Sequence, residues 1–487
     1  MMDTARGIAE KVRSGETSAC TVIERCLEGI DAFNEDLGAF THVVRERALK
    51  RAKALDDAKA SGENLGPLAG VPFAAKNLFD IAGIATLAGS KINRARAPAE
   101  TDATLILRLE AAGAILVGAL NMGEYAYDFT GENAHYGPSR NPHATDRMSG
   151  GSSGGSGTAV AAGMVPLALG SDTNGSIRVP SSLCGLFGLK PTYGRLSRAG
   201  TFPFVASFDH VGPMARCVDD LALSATAMMG ADPADPVCAD RPETSLVPAA
   251  HSPAAHGPVT HGPADHGIDG LRIAKAGGYF ERQADRQALQ AVDKVCSALN
   301  ADRVVGIDHA AEARAAAYLI TMAEGAALHL DGLKAHHQDY DPDVRDRFLA
   351  GAMIPGAWVA KAQKFRRYFQ AHMRAIFETT DILVAPATPC SAPRIGQKTF
   401  TLDGVELPVR PNLGIFTQPI SFVGLPVVTV PVWLESEPLP IGVQIIAAPW
   451  KEVSALAIAQ HLERQGVAKA PVAKAYAGPV QPVKCRD

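Results

Sequence analysis

The residues best suited to chemistry lie in one run, 150–182, which reads GGSSGGSGTAVAAGMVPLALGSDTNGSIRVPSS. Ser176 closes a turn, SDTNGS (171–176), at the end of an apolar stretch that reads as a strand over 166–170. Gly175 before it lets a substrate carbonyl come close to the backbone. The N–H groups of Thr173, Asn174, Gly175 and Ser176 can converge on one point and form an oxyanion hole. A serine hydroxyl is a poor nucleophile until a base takes its proton. No histidine lies in this run, and His135, His143 and His210 carry no local signature and read as loop or surface residues. A lysine can serve as the base if burial lowers its pKa. Lys76 follows the apolar stretch VPFAA and precedes Asn77. Taken alone, a lysine after a strand reads as solvated, so the base stays open at this point. Two other readings of the run are weaker. A glycine-rich loop before a helix can cradle a phosphate, but the phosphate-loop lysine motif and the dinucleotide fingerprint are both absent. A flexible linker would not have an apolar helix and strand embedded in it.

Residues 3–60 place Ile8, Val12, Val22, Ile23, Cys26, Leu27 and Ile30 at helical intervals. The segment 66–73 reads as a turn into a short buried strand, 105–109 as helix, and 114–118 as strand. A helix of small residues follows from about 156 to 162. Residues 270–306 read strand, helix, strand, and 308–380 read as mostly helical. The stretches 382–384, 426–433 and 442–447 read as buried strands. Strands and helices alternate along the whole length. That pattern predicts an α/β fold, a sheet covered by helices on both faces with sites at strand ends.

The chain has 487 residues, 47% apolar and 20% charged, so it can bury a large core. Its 47 basic and 51 acidic residues give a net charge of -4, which supplies no global field for a nucleic acid. Cysteines 20, 26, 184, 217, 238, 296, 390 and 485 are scattered without zinc spacing and read as free thiols of a reducing compartment. No window offers a signal peptide or a membrane span, so a cytoplasmic protein with no membrane partner is expected. Residues 232–269 are rich in Pro, Ala and His, with His251, His256, His261 and His266 five apart. That period fits neither helix nor strand, so the segment reads as a low-complexity insertion and not a metal site. No metal and no cofactor are expected.

The run 150–182 resembles the signature of the amidase signature family, and Lys76 sits in a matching context, GVPFAAKN. The similarity extends to AGAILVGALNMGEYAY (112–127), CGLFGLKPTYGRLSRAG (184–200), FDHVGPMAR (208–216) and DILVAPATP (381–389). It covers nearly all of the chain outside the His-rich insertion. The resemblance implies one domain over 1–487, built on a large mixed sheet with helices on both faces. It also implies an amide hydrolase in which Lys76 is the catalytic lysine, Ser152 the bridging serine and Ser176 the nucleophile, with a cis Gly151–Ser152 peptide. Asp172 and Arg178 match positions that brace the loop. The family usually has Gly where this chain has Asn174, a departure that makes the substrate less generic. Several runs, among them AAKNLFDIAGIATLAGSKINR (74–94) and LHLDGLK (328–334), resemble members that release ammonia from a small acidic urea derivative. The acid would need receptors, and Lys91, Asn93, Tyr125, Tyr318 and Arg366 are the candidates. The alternatives are a glutamine-hydrolysing member serving a tRNA-dependent amidotransferase, or a broad aryl or indole acetamide amidase. Glutamine-hydrolysing members hold the amino group with an acidic residue where this chain has Gly414. A homodimer is expected, with a small helper subunit left open.

Overall fold

The computed structural model describes residues 3–241, 245–247 and 268–478. The four histidines of the insertion, His251, His256, His261 and His266, lie outside the described residues. An 11-stranded mixed sheet forms the frame. From one edge its strands are Phe40–Val43, Ile115–Leu120, Pro72–Lys76, Leu167–Asp172, His210–Ala215 and Phe187–Lys190. They continue through Val427–Val432, Ile441–Ala447, Ile382–Pro386 and Ile273–Gly277 to Val304–Gly306. Strand Pro72–Lys76 runs parallel to both of its neighbours, whereas the centre, from Leu167–Asp172 to Ile382–Pro386, is antiparallel throughout. Every residue of Pro72–Lys76, Leu167–Asp172, Val427–Val432 and Ile441–Ala447 is buried. Successive side chains point to opposite faces of a strand, so both faces of the sheet are covered.

The amphipathic N-terminal stretch divides into helices Ala5–Ser14, Ala19–Leu37 and Arg45–Ala60, with edge strand Phe40–Val43 between the last two. Thr4 and Ser18 cap the first two helices by accepting from Gly7 N and Thr21 N. Gly15 and Gly38 end them in the left-handed region. The predicted helical region 308–380 is three helices, Ala310–His336, Pro342–Ala352 and Gly356–Thr379. Strands His210–Ala215 and Phe187–Lys190, unpredicted from the sequence, complete the middle of the sheet. The first residues of the predicted insertion belong to the fold instead: Asp232 accepts from Thr104 Oγ1 (2.8 Å), Asp235 pairs with Arg198 (3.0 Å), and Leu246 is buried.

Candidate active site

Two strands and one tight helix bring the chemistry-bearing residues together. Strands Pro72–Lys76 and Leu167–Asp172 are parallel neighbours, so their carboxyl ends lie side by side. Lys76 ends the first, and Ser171 and Asp172 end the second. Helix Gly154–Ala161 starts just after Ser152 and Ser153 and packs against the same strands. Lys76 and Ser152 are fully buried. The Lys76 amine lies 2.7 Å from Ser152 Oγ and 2.8 Å from Ser171 Oγ. The Gly151–Ser152 peptide is cis. Burial pushes the Lys76 ammonium down to about 7, against the pull of Asp172, Asp209 and Asp128. A lysine that loses its proton near neutrality can take one from a serine hydroxyl within hydrogen-bond reach.

The turn after Asp172 carries Ser176. Gly175 there has φ +142°, and a Cβ would lie 2.2 Å from Thr417 Oγ1, so only glycine fits. Thr417 Oγ1 donates to the Asn174 carbonyl (2.6 Å) and fixes the turn from the far side. Asp172 holds it from within, accepting from Ile177 N (3.2 Å) and pairing with the buried Arg178 (2.9 Å). Burial alone would raise the Asp172 carboxyl, but the charge and hydrogen bonds of Arg178 outweigh it and keep it well below the usual range. Thr173 Oγ1 donates to Asp209 (2.6 Å). The N–H groups of Thr173, Asn174, Gly175 and Ser176 donate to no protein acceptor among the described residues.

Ser176 lines a small cavity with Asn174, Tyr127, Tyr318, Thr321 and Arg347. Arg347 comes from helix Pro342–Ala352, which starts at the Asp341 cap. Its Nη1 donates to the Tyr127 carbonyl (2.7 Å), and the guanidinium lies 3.4 Å from the centre of the Tyr127 ring. Its Nε and the Tyr127 hydroxyl have no hydrogen-bond partner among the described residues. Burial pushes the Tyr127 phenol up to about 12, so it stays a donor. Glu124 Oε2 accepts from Asp341 N (2.7 Å) and ties the Tyr127 segment to the arginine helix.

Of the five proposed substrate contacts, the structure brings only Tyr318 to this cavity. Lys91 pairs with Asp339 at the surface (2.9 Å), on a short turn where its amine stays hydrated. Asn93 donates to the Leu87 carbonyl (3.1 Å) and helps close its own loop. Tyr125 is buried with its ring against His329, Phe202 and Tyr340. The Arg366 guanidinium is used on the carbonyls of Phe422 and Ser207, both at 2.7 Å. Arg347 and Tyr127 are among the cavity groups that the sequence reading did not single out. Arg347 sits in the charged string DVRDRF, which looks like a solvated helix face, so no local signal marks it. None of the three histidines considered as a base lines the Ser176 cavity. His135 is held by Glu124 (2.9 Å), and His143 by the Cys184 carbonyl (3.2 Å). His210 is no surface residue. It is buried on a central strand, its Nδ1 lies 2.5 Å from the Phe208 carbonyl, and burial holds it neutral, well below its ordinary pKa.

A buried lysine on one serine, a second serine on a glycine turn, and a mixed sheet that holds both define an amide-cleaving enzyme. The chain belongs to the amidase family, whose model matches residues 21–456, and it is an amidohydrolase acting on carbon–nitrogen bonds. It is 52% identical to AtzE, the 1-carboxybiuret hydrolase subunit of Pseudomonas sp. (strain ADP), over 95% of this chain and 98% of that one. It is 35% identical to a glutamyl-tRNA(Gln) amidotransferase subunit of Carboxydothermus hydrogenoformans, over 95% and 96%. A solved structure of a vestigial protein complex, tied to the origins of an s-triazine catabolic enzyme, superposes with a TM-score of 0.92 at 51% identity, covering 96% of this chain and 100% of that one. Among the described residues no helix is long and apolar enough to cross a membrane.

Proposed function

We propose that this chain hydrolyses the terminal amide of a small acidic urea derivative of the 1-carboxybiuret kind and releases ammonia. The observation that carries the reading is that Ser176 shares its cavity with Arg347, a half-buried arginine whose Nε is buried and has no partner among the described residues. A partly desolvated cation with an unused donor is a receptor for a carboxylate. In the proposed reaction, Ser176 Oγ attacks the amide carbonyl and passes its proton to Ser152 as Ser152 passes its own to Lys76. The carbonyl oxygen, now negative, is received by the N–H groups of the 173–176 turn. When the carbon–nitrogen bond breaks, the proton returns through Ser152 to the departing nitrogen, and ammonia leaves an acyl group on Ser176. Water then attacks that acyl group with the same relay and frees the shortened acid.

Glutamine fits less well. At Gly414 a Cβ would lie 2.4 Å from the Phe129 ring, so no acidic side chain can stand there to meet an amino group. A panel of 1-carboxybiuret, biuret, glutamine and indoleacetamide, read by ammonia release, tests the reading. We expect 1-carboxybiuret to be the best of the four. Arg347→Met should cut kcat/KM for 1-carboxybiuret by about 10²-fold, the effect of losing a charge-assisted hydrogen bond. The same change should alter biuret turnover by less than about threefold, because biuret brings no carboxylate. Lys91→Ala should leave both rates unchanged. Faster turnover of glutamine or indoleacetamide than of 1-carboxybiuret would reject the acidic-ureide substrate.

A further inference from the structure

We infer that the Asn174 carboxamide is a specificity-determining group that reads an N–H next to the scissile carbonyl. The site then takes ureides, which carry N–H at that position, in preference to carbon amides, which carry CH₂. The inference rests on Ser176 being the nucleophile and names one further feature of its substrate.

Asn174 stands two residues before Ser176 in the same turn and lines the same cavity. It is 5% exposed. Its Nδ2 donates to Thr321 Oγ1 (2.9 Å), from helix Ala310–His336, which ties the carboxamide to that helix. Its backbone carbonyl is already occupied by Thr417. The side-chain Oδ1 is buried and has no hydrogen-bond partner among the described residues. A dry acceptor without a donor is costly, and such groups are rare unless a ligand or water completes them. The cavity therefore shows two kinds of demand. Arg347 Nε and Tyr127 OH are unused donors and call for an acceptor such as a carboxylate. Asn174 Oδ1 is an unused acceptor at the nucleophile's end and calls for a donor on the acyl side of the bond. An acid joined to the scissile carbonyl through N–H meets both. The same acid joined through CH₂ leaves Oδ1 unpaired, and a site built around such a group discriminates strongly against the analogue that lacks its partner.

N-carbamoylglycine and succinamate test this. They have the same length and charge and differ only by N–H against CH₂ beside the terminal amide. We expect wild type to favour N-carbamoylglycine by about 10- to 100-fold in kcat/KM, the effect of one buried acceptor left unpaired. If turnover is too slow to measure, the ratio of their inhibition constants against 1-carboxybiuret reads the same quantity. Asn174→Gly and Asn174→Leu should each bring the ratio to within about threefold, the first without adding any bulk. Fluorophosphonate labelling of Ser176 shows that each variant is folded and its nucleophile assembled. Arg347→Met should weaken both acids together and leave their ratio intact. Loss of that pattern would count against the acid receptor and leave the N–H reading standing. Equal use of the two acids by wild type, or an undiminished ratio in both Asn174 variants, would overturn the inference.

Discussion

Lys76 is an amine enclosed on every side. Burial removes the water that would stabilise its charge, and three carboxylates, Asp172, Asp209 and Asp128, restore only part of the loss. The result is a group that titrates near about 7 instead of 10.5. In the proposed relay Lys76 is the base and must be neutral, so kcat/KM for an uncharged amide should rise with pH and level off above about 7. Lys76→Ala should lower kcat by at least about 10³-fold at every pH, within the range that positioned proton transfer supplies. The same shift has a cost in stability. Between about 7 and 10.5 the unfolded lysine holds a proton that the folded one has lost, so the Lys76 contribution to stability rises with pH across that window. Lys76→Met should therefore be more stable than wild type, most of all at pH 7 and below, and the gap should close toward pH 10. Urea unfolding of both proteins at several pH values checks this. A gap that stays constant with pH would mean that the amine is not desolvated as described.

Helix Gly154–Ala161 shows what an element must give up to place such a residue. Its sequence, GGSGTAVA, has poor helix propensity and no bulky side chain. The reason is distance: at Gly155 a Cβ would lie 2.4 Å from the Ala39 carbonyl and 2.6 Å from Asn121 N. Only a bare helix can come close enough to the strands for Ser152, just ahead of it, to reach Lys76. Gly155→Val should thus do double damage, lowering the thermal midpoint through overpacking worth about 1–3 kcal/mol and lowering kcat by moving Ser152. A variant with wild-type midpoint and activity would show that the approach is looser than the structure has it. The sequence carried this element plainly, because small residues in a long run have few other uses. It also carried the strands at 115–120, 167–172, 273–277, 382–386 and 441–447, whose apolar runs stand out. Strand His210–Ala215 did not stand out, since Gly212 and Pro213 interrupt its apolar run and are poor strand formers. In the sheet a Cβ on Gly212 would meet the Leu189 carbonyl at 2.2 Å, so that glycine answers to a neighbouring strand and not to its own segment. Phe40–Val43 and Phe187–Lys190 are four residues each, and Thr41 with His42 and Gly188 with Lys190 leave neither an apolar run. Arg347 was hidden for a similar reason. Its role depends on a helix folding back over the turn more than 170 residues earlier in the chain, and nothing local reports that.

Across the whole molecule, Thr417 and one buried guanidinium fasten the turn that carries Ser176 to the far end of the chain. Arg178 is fully buried and pairs with Asp172 through both Nε and Nη2, each at 2.9 Å. It also donates to Gln444 Oε1 (2.8 Å), to the Thr417 carbonyl (3.0 Å) and to Ser421 Oγ. Gln444 lies 266 residues away on strand Ile441–Ala447, and its amide in turn holds the carbonyls of Pro386 (2.8 Å) and Phe416 (3.1 Å). One guanidinium thus joins the Ser176 turn, the 414–424 segment behind it and the C-terminal strands. Arg178→Met removes the cation and leaves Asp172 charged and dry, a change that destabilises by about 3–5 kcal/mol. Arg178→Lys should recover little, because a single ammonium cannot make the fork to Asp172 and reach Gln444 as well. The double change Arg178→Met with Asp172→Leu removes both charges and should regain much of the stability of the single variant. It should not regain activity, since the turn has then lost the acceptor that holds the Ile177 and Arg178 N–H groups. Chemical denaturation midpoints and ammonia release on the three variants separate the two effects. If Arg178→Met unfolds at the wild-type midpoint, the fastening of the turn to the C-terminal strands lies elsewhere. If the double variant turns over substrate at the wild-type rate, Asp172 has no part in shaping the turn.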